Sequence, residues 1–194
     1  MSSKNIDTRK RILMASWDLL VTEQGCDARM SDIARRAGVS RQALYLHFKS
    51  RAELLFATVL YIDDEKGATA RLEVCRAAKT GRERLEAFID AWGNYIPEIY
   101  GVAKALLAAR ESDPAAAEAW DDRMHTVRAE CEAAVTALSQ DGRLSPDFTI
   151  ERATDTLWTL LSVRNWEQLT RDCGWSQEDY IKNMKHNARV LLVK

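Results

Sequence analysis

The chain has 194 residues, 46% of them hydrophobic, and a formal net charge of −1. This length can bury a substantial core in one domain or in two closely packed ones, and the hydrophobic content is that of an ordinary globular protein. With eight Gly and three Pro residues, and no long stretch that alternates apolar and polar residues, the chain is predicted to be all-α rather than to contain a sheet.

The N-terminus lacks the apolar segment of a secretory signal, and no uninterrupted apolar run is long enough to cross a membrane. The four cysteines (Cys26, Cys75, Cys131 and Cys173) lie far apart without a C-x-x-C spacing, so neither a disulfide framework nor a zinc site is expected. The sequence therefore predicts a reduced, cytoplasmic protein that uses no metal and no cofactor.

The charge is divided unevenly along the chain. Residues 1–51 contain ten Lys and Arg against five Asp and Glu, a net +5, whereas residues 52–194 contain eighteen against twenty-four, a net −6. A basic end joined to an acidic body is typical of a protein in which one end meets a polyanion, although chance can also produce such an imbalance.

The first predicted helix follows a loose arm of residues 1–6, with Asp7 as its N-cap, and runs to about Gln24. Its inward side carries Ile12, Ser16, Leu19 and Leu20. Three cations, Arg9, Lys10 and Arg11, lie at its start, where they oppose the helix dipole. They either meet a phosphate or simply form an exposed arm.

The stretch from Met30 to Phe48 has the spacing of a helix-turn-helix unit. Ala34 is small enough for the two helices to cross closely, and Gly38 can adopt the left-handed conformation that ends the first helix. Ser40 is a natural N-cap for the second helix.

The second helix of this unit has distinct inward and outward sides. Leu44 and Phe48 lie four residues apart and are predicted to point into the core, together with Ile33 and Val39. The side chains on the other faces are cationic, amide-bearing or aromatic, which suits phosphates and base edges. They are Arg41, Gln42, Tyr45 and His47. The alternative is a surface helix of some other helical domain.

Two capping boxes mark the next helices. Ser50 and Glu53 begin one that is predicted to continue to about Cys75 as a single stiff rod, with Gly67 as its weak point. Thr80 and Glu83 begin another, which Pro97 is expected to interrupt before a further helix over residues 99–107.

Three more helices are predicted downstream, about nine in all. Asp113-Pro114 is a helix start, and a helix from there to Gln140 would be about 40 Å long. After a turn over residues 142–146, a helix from Ile150 ends at Gly174, and the last one begins at Ser176.

A larger set of positions falls in register over the first quarter of the chain. They are Ile12, Leu13, Ser16, Leu20, Gly25, Ile33, Ala34, Ala37-Gly38-Val39-Ser40, Leu44-Tyr45, His47-Phe48, Ser50, Arg51, Glu53 and Leu54. This set resembles the N-terminal DNA-binding domain of the TetR family of bacterial transcriptional repressors. A looser set is similar to a C-terminal regulatory domain found in many members: Trp120-Asp121-Asp122-Arg123, Leu157-Trp158, Gly174-Trp175-Ser176 and Tyr180.

Two positions depart from the family pattern. Arg29 stands where the family usually has Ser or Thr, so the usual side-chain cap of the second helix is missing, with Ser31 and Asp27 as substitutes. Cys26 stands where the family usually has a large apolar residue.

The resemblance implies a helix-turn-helix domain over residues 1–51 and a regulatory and dimerisation domain over residues 52–194. The candidate DNA contacts are Arg29, Ser40, Arg41, Gln42, Tyr45, His47, Lys49 and Arg51. Among them Arg41 and Gln42 are the candidates for base edges, since Arg suits guanine and Gln suits adenine. The partner would be a double-stranded, palindromic operator, read by two half-sites about one DNA turn apart.

The body would hold a small apolar or amphipathic effector. The candidate lining residues are Tyr61, Trp92, Tyr95, Ile99, Leu106, Trp120, Met124 and Val127, and core packing is the commoner fate of each. A homodimer is expected to form through the last two helices. Its candidate contacts are Leu157, Trp158, Leu161, Trp166, Tyr180, Met184 and Leu191, which could instead complete the core of one protomer.

The function predicted from these features is that of a ligand-responsive repressor, in which an effector displaces the rod beginning at Ser50 and changes the separation of the two recognition helices. An alternative keeps DNA binding but replaces the effector by oxidation of Cys26 or Cys131, or by a protein partner. An enzyme is not predicted, since no nucleophile with its base, no paired carboxylates and no metal spacing among His47, His125 and His186 are found.

Overall fold

The computed structural model describes residues 3–22 and 28–194, and the described chain is built from helices. The helices are α1 (Ser3–Leu20), α2 (Met30–Ala37), α3 (Arg41–His47), α4 (Arg51–Glu65), α5 (Ala68–Arg76), α6 (Gly81–Ala109), α7 (Pro114–Gln140), α8 (Ile150–Leu160), α9 (Val163–Glu167), which continues as a π-helical turn (Gln168–Asp172), and α10 (Gln177–Leu192). Within the described residues, β pairing is limited to an isolated bridge between Leu144 and Val193. The predicted all-α fold is confirmed.

The chain forms two compact units. The first contains Met1–Lys66 and Ile99–Arg123, and the second contains Gly67–Glu98 and Met124–Lys194, so α6 and α7 each supply residues to both. The domain boundary drawn between residues 51 and 52 stays a prediction. Among the described helices, none combines the length and apolar character needed to span a bilayer.

The first unit has a core around the predicted helix-turn-helix. Its buried side chains come from α1 to α4, and Leu44, Phe48 and Leu54 are fully buried. The Thr58 hydroxyl lies 2.9 Å from Ser16 Oγ and 2.7 Å from the Leu54 carbonyl oxygen, so the two buried hydroxyls have hydrogen-bond partners. These contacts fix α1 against α4 and confirm the inward position of Ser16.

A second core in the same unit packs α4 against the parts of α6 and α7 that belong to it. It contains Leu55, Val59, Val102, Leu106 and Ala116 among others. Two ion pairs hold α4 to the α7 segment, one near each end of α4.

One of these pairs joins Arg51 to Asp113, and the other joins Asp63 to Arg123. All four side chains are at most a quarter exposed. Asp113 Oδ1 also accepts the Ala115 N–H at 3.0 Å, which caps α7.

The second unit packs α5, the first part of α6, the rest of α7, and α8 to α10 around its own apolar core. Its fully buried side chains include Leu85, Ile89, Leu138, Leu157 and Tyr180. The Thr80–Glu83 capping box is confirmed. Thr80 Oγ1 accepts the Glu83 N–H, and the Glu83 carboxylate accepts the Thr80 N–H, both at 3.2 Å.

Two predicted boundaries near the N-terminus are wrong. α1 begins at Ser3, so Asp7 lies inside the helix and is not its N-cap. Its end is at Leu20, and Gln24 lies outside the described residues.

The rod predicted from Ser50 to Cys75 is divided, because Gly67 adopts a left-handed conformation with φ 67° and separates α4 from α5.

Pro97 does not interrupt α6, contrary to the prediction. Proline has no N–H to donate to the carbonyl oxygen four residues earlier, here that of Gly93. Gln177 Nε2 donates to this oxygen at 2.8 Å and replaces the missing helical bond. A Cβ atom at position 93 would lie 3.1 Å from Ile181 Cγ1, so Gly93 also allows α10 to approach closely.

The helix predicted from Ile150 to Gly174 is divided at Leu161. Ser162 Oγ accepts the Asn165 N–H at 3.2 Å and starts α9 as an N-cap. Asn165 Nδ2 donates to the Thr159 carbonyl oxygen at 2.7 Å, which satisfies one of the acceptors left at the end of α8. The predicted start of the last helix at Ser176 is confirmed by its bond from the Asp179 N–H.

Candidate nucleic-acid interface

The turn between α2 and α3 is made as the sequence predicts. Gly38 has φ 65° and ψ 37°, and the Val39 N–H donates to the Ala34 carbonyl oxygen at 3.0 Å. This is the bond pattern that closes a helix with a left-handed glycine. Arg11 Nη1 lies 3.4 Å from the Ala37 carbonyl oxygen, at the negative end of α2.

Side chains close in sequence cap both helices of the helix-turn-helix unit. Ser40 Oγ accepts the Ala43 N–H at 3.1 Å, which confirms Ser40 as the N-cap of α3. At α2 the Asp32 carboxylate accepts the Arg29 N–H at 3.0 Å. Asp32, the third residue of α2, thus bonds the N-cap N–H, which is a different bond from the N-cap side-chain bond that the family pattern predicts, and Asp27 lies outside the described residues.

The outward side of α3 is formed by residues three and four positions apart. Leu44 and Phe48 are fully buried beneath it. The exposed side chains of α3 are Arg41, Gln42, Tyr45 and Leu46, and Lys49, two residues beyond the end of α3, is also exposed. Tyr45 is 42% exposed and Leu46 is 87% exposed. The sequence analysis missed Leu46, and its position on the same face as Gln42 was the signal that could have found it.

His47 occupies a different position from the exposed set. It is half-buried, and its ring centroid lies 6.5 Å from that of Phe48. Arg9 from α1 covers the same phenylalanine, with its guanidinium carbon 5.0 Å from the ring centroid. His47 and Arg9 therefore flank the buried Phe48 at the end of α3.

The eight cations from Lys10 to Arg51 fall into two groups. Five of them form ion pairs with acidic side chains: Lys10 with Glu65, Arg11 with Asp7, Arg35 with Asp32, Arg36 with Asp18, and Arg51 with Asp113. The side chains of Arg29, Arg41 and Lys49 form no ion pair with any of the described residues. The second group is the one available to an external polyanion.

Arg51 belongs to the first group, although it was predicted to contact phosphate. Its guanidinium pairs with Asp113 and is 25% exposed. The structure therefore gives Arg51 a role in holding α4 to the start of α7.

Lys10 shows the same effect at α1. Its ammonium lies 2.9 Å from the Glu65 carboxylate, which raises the pKa of Lys10 and lowers that of Glu65. A protein carboxylate therefore offsets this charge in α1.

The sequence model described as "Bacterial regulatory proteins, tetR family" matches residues 12–58, the segment that contains α2 and α3. Residues 12–58 are therefore a TetR-family DNA-binding domain. The transcriptional activator FasR of Mycolicibacterium smegmatis is 33% identical over 90 residues, which cover 46% of this chain and 41% of FasR. The chain therefore matches less than half the length of that relative.

Solved structures of TetR-family regulators share the fold over nearly the whole chain. A TetR-family transcriptional regulator from Rhodococcus sp. superposes with a TM-score of 0.75 at 26% identity, over 95% of this chain and 98% of that one. FadR from Bacillus subtilis, determined in complex with stearoyl-CoA, gives a TM-score of 0.73 at 16% identity, over 92% and 96% of the two chains.

The residues predicted to line an effector site are divided between the two units. Tyr61, Ile99, Leu106 and Trp120 lie in the first unit, where all four pack on its cores. Trp92, Tyr95, Met124 and Val127 lie in the second. Trp92 Nε1 donates to the Leu161 carbonyl oxygen at 2.7 Å, and burial raises the pKa of the Tyr95 phenol.

Most residues predicted to form a TetR-like dimer interface are buried within the protomer itself. Five of the seven have at most 4% of their surface exposed: Leu157, Leu161, Trp166, Tyr180 and Met184. These side chains complete the core of the second unit, so their role in a dimer interface stays a prediction. Trp158 is half-buried and Leu191 is 40% exposed, so both keep surface for a partner.

An open groove of about 550 Å³ runs along α10 and was not predicted. It is lined by Trp175, Asp179, Lys182, Asn183, His186 and Arg189. Among the described residues, including this groove, no group of three or more His, Cys, Asp and Glu side chains is arranged to hold a metal ion. The outward face of α3 is the candidate functional site of this chain.

Proposed function

We propose that this protein is a DNA-binding transcriptional regulator that presents α3 to the major groove of an operator. The outward face of α3 supports this proposal, since it combines Arg41, which forms no ion pair with the described residues, with an amide and an aromatic side chain. Lys49, Arg29 and Tyr45 contact phosphates, while Arg41 and Gln42 reach base edges. Two copies bind half-sites about 34 Å apart.

The first test is selection of bound duplexes from random DNA, followed by affinity measurements on the selected site. Lys49→Ala is expected to reduce the slope of log K against log salt by about 1 per protomer, because one phosphate contact is lost. Gln42→Ala is expected to relax the preference at one base pair instead. Lys79→Ala removes an exposed lysine outside the interface and serves as the charge-matched control. Equal effects of Lys49→Ala and Lys79→Ala would contradict the assignment.

We propose further that a small apolar or amphipathic molecule bound in the C-terminal region releases the operator. The structural relative FadR was determined with stearoyl-CoA, which makes long-chain acyl-CoA a first compound to test. Titration of the protein–operator complex with stearoyl-CoA, and with unacylated coenzyme A as control, measures the effect. Binding of stearoyl-CoA without a change in operator affinity would exclude it as the releasing effector.

In this proposal, an effector acts on α2 and α3 through α7 and not through a continuous helix from Ser50 to Cys75. α4 ends at Glu65, but α7 is one helix whose first part holds α4 through Arg51–Asp113 and Asp63–Arg123. Displacement of α7 by an effector would therefore move α4 and the helix-turn-helix unit packed on it. Regulation as a repressor is tested by reporter transcription, which should rise when the gene for this protein is deleted.

A further inference from the structure

Leu46 is an apolar side chain on an otherwise polar face. It is 87% exposed, more than any other large hydrophobic side chain in the described residues. Gln42 lies one helical turn before it, so the two residues share the outward face of α3. Core packing does not explain why a leucine stands at this position, because Leu44 and Phe48 fill the core beneath it.

The major groove offers one apolar group on its base edges, the C5-methyl of thymine. A leucine side chain neither donates nor accepts a hydrogen bond, so against the other base edges it would only displace water from polar atoms. We propose that Leu46 is a specificity-determining residue that reads thymine in the operator through its C5-methyl group. This inference rests on the proposed function of α3 as the recognition helix.

The placement of Gln42 supports a neighbouring adenine. The two residues are four positions apart, about 6 Å along the helix axis at about 1.5 Å per residue. This distance is less than two base steps of about 3.4 Å each. Gln42 and Leu46 together would select two A·T pairs at adjacent or nearly adjacent positions of each half-site.

The test uses a change of one methyl group in the DNA. Once selection has defined the bound site, each thymine is replaced by deoxyuridine, symmetrically in both half-sites, and the affinity is measured. Wild-type protein should lose about fourfold per methyl, about 15-fold for both half-sites, at one thymine position. Leu46→Ala should bind the original site more weakly by a similar factor, and it should lose nothing further on the deoxyuridine site.

Val74→Ala is the matched control, because Val74 is 68% exposed and lies on α5. It should retain the full wild-type response to deoxyuridine. If wild type and Leu46→Ala lose affinity equally at every thymine whose methyl matters, those methyls are contacted by other residues and the proposal is overturned. A site at which no methyl matters overturns it as well. A protein that binds no duplex at all refutes the proposed function itself, which separates the two failures.

Discussion

Replacing Gln177 by Ala would remove two hydrogen bonds that join three helices of the second unit. Gln177 Nε2 donates to the Gly93 carbonyl oxygen, and Gln177 Oε1 accepts from Trp166 Nε1, both at 2.8 Å. Trp166 is 2% exposed, and the Gly93 carbonyl lacks the helical bond that Pro97 cannot donate. The variant would therefore leave one donor and one acceptor without their partners.

The expected loss in the free energy of unfolding is about 2–3 kcal/mol, at the lower end of the cost of two unsatisfied buried groups because Gln177 is half-buried. Urea unfolding followed by tryptophan fluorescence measures it. Gln140→Ala, at the exposed end of α7, removes a glutamine without these bonds and should change stability by less than about 0.5 kcal/mol.

A double-mutant cycle with Pro97→Ala tests the reason for this loss. Alanine at position 97 restores an N–H that can bond the Gly93 carbonyl oxygen, so Gln177→Ala should cost about 1 kcal/mol less in that background. Losses that simply add would refute the claim that Gln177 replaces the helical bond missing at Pro97.

Three further outcomes are expected. Asp113→Ala should destabilise the protein by about 2 kcal/mol because it removes the α7 cap and the ion pair to Arg51, whereas Asp113→Asn, which keeps a capping oxygen, should cost about half as much in urea unfolding. Burial raises the pKa of the Tyr180 phenol, so the folded state retains this proton and stability should fall as the pH rises above about 10, less steeply in Tyr180→Phe. Mass spectrometry after brief thiol labelling should find Cys173, which is exposed, modified before the buried Cys131, whose pKa is raised by burial; equal labelling would contradict the fold there.

The helix-turn-helix could be predicted because its signals are local. Gly38 and Ser40 act on backbone groups within four residues of themselves, and the inward positions of Leu44 and Phe48 follow from helical spacing alone. Such signals need no knowledge of the rest of the fold.

The failures arose where a distant residue decides the outcome. Pro97 is an interruption by every local rule, yet α6 continues because a side chain 84 positions beyond Gly93 bonds its carbonyl oxygen. The stripe that contains Tyr180 and Met184 was correctly identified as apolar. Helical spacing shows that a face must be covered, but it does not show whether the same protomer or a second one covers it.

The net charge of residues 1–51 is a second case in which distant residues decide the outcome. A net +5 over residues 1–51 gives no indication of which cations are available, because Lys10 and Arg51 pair with acids 55 and 62 positions away. No Asp or Glu occurs between Val39 and Ala52, however, so Arg41 has no acidic neighbour at helical spacing. The local absence of acids, rather than the excess of bases, is therefore the better predictor of which cations form no ion pair within the described chain.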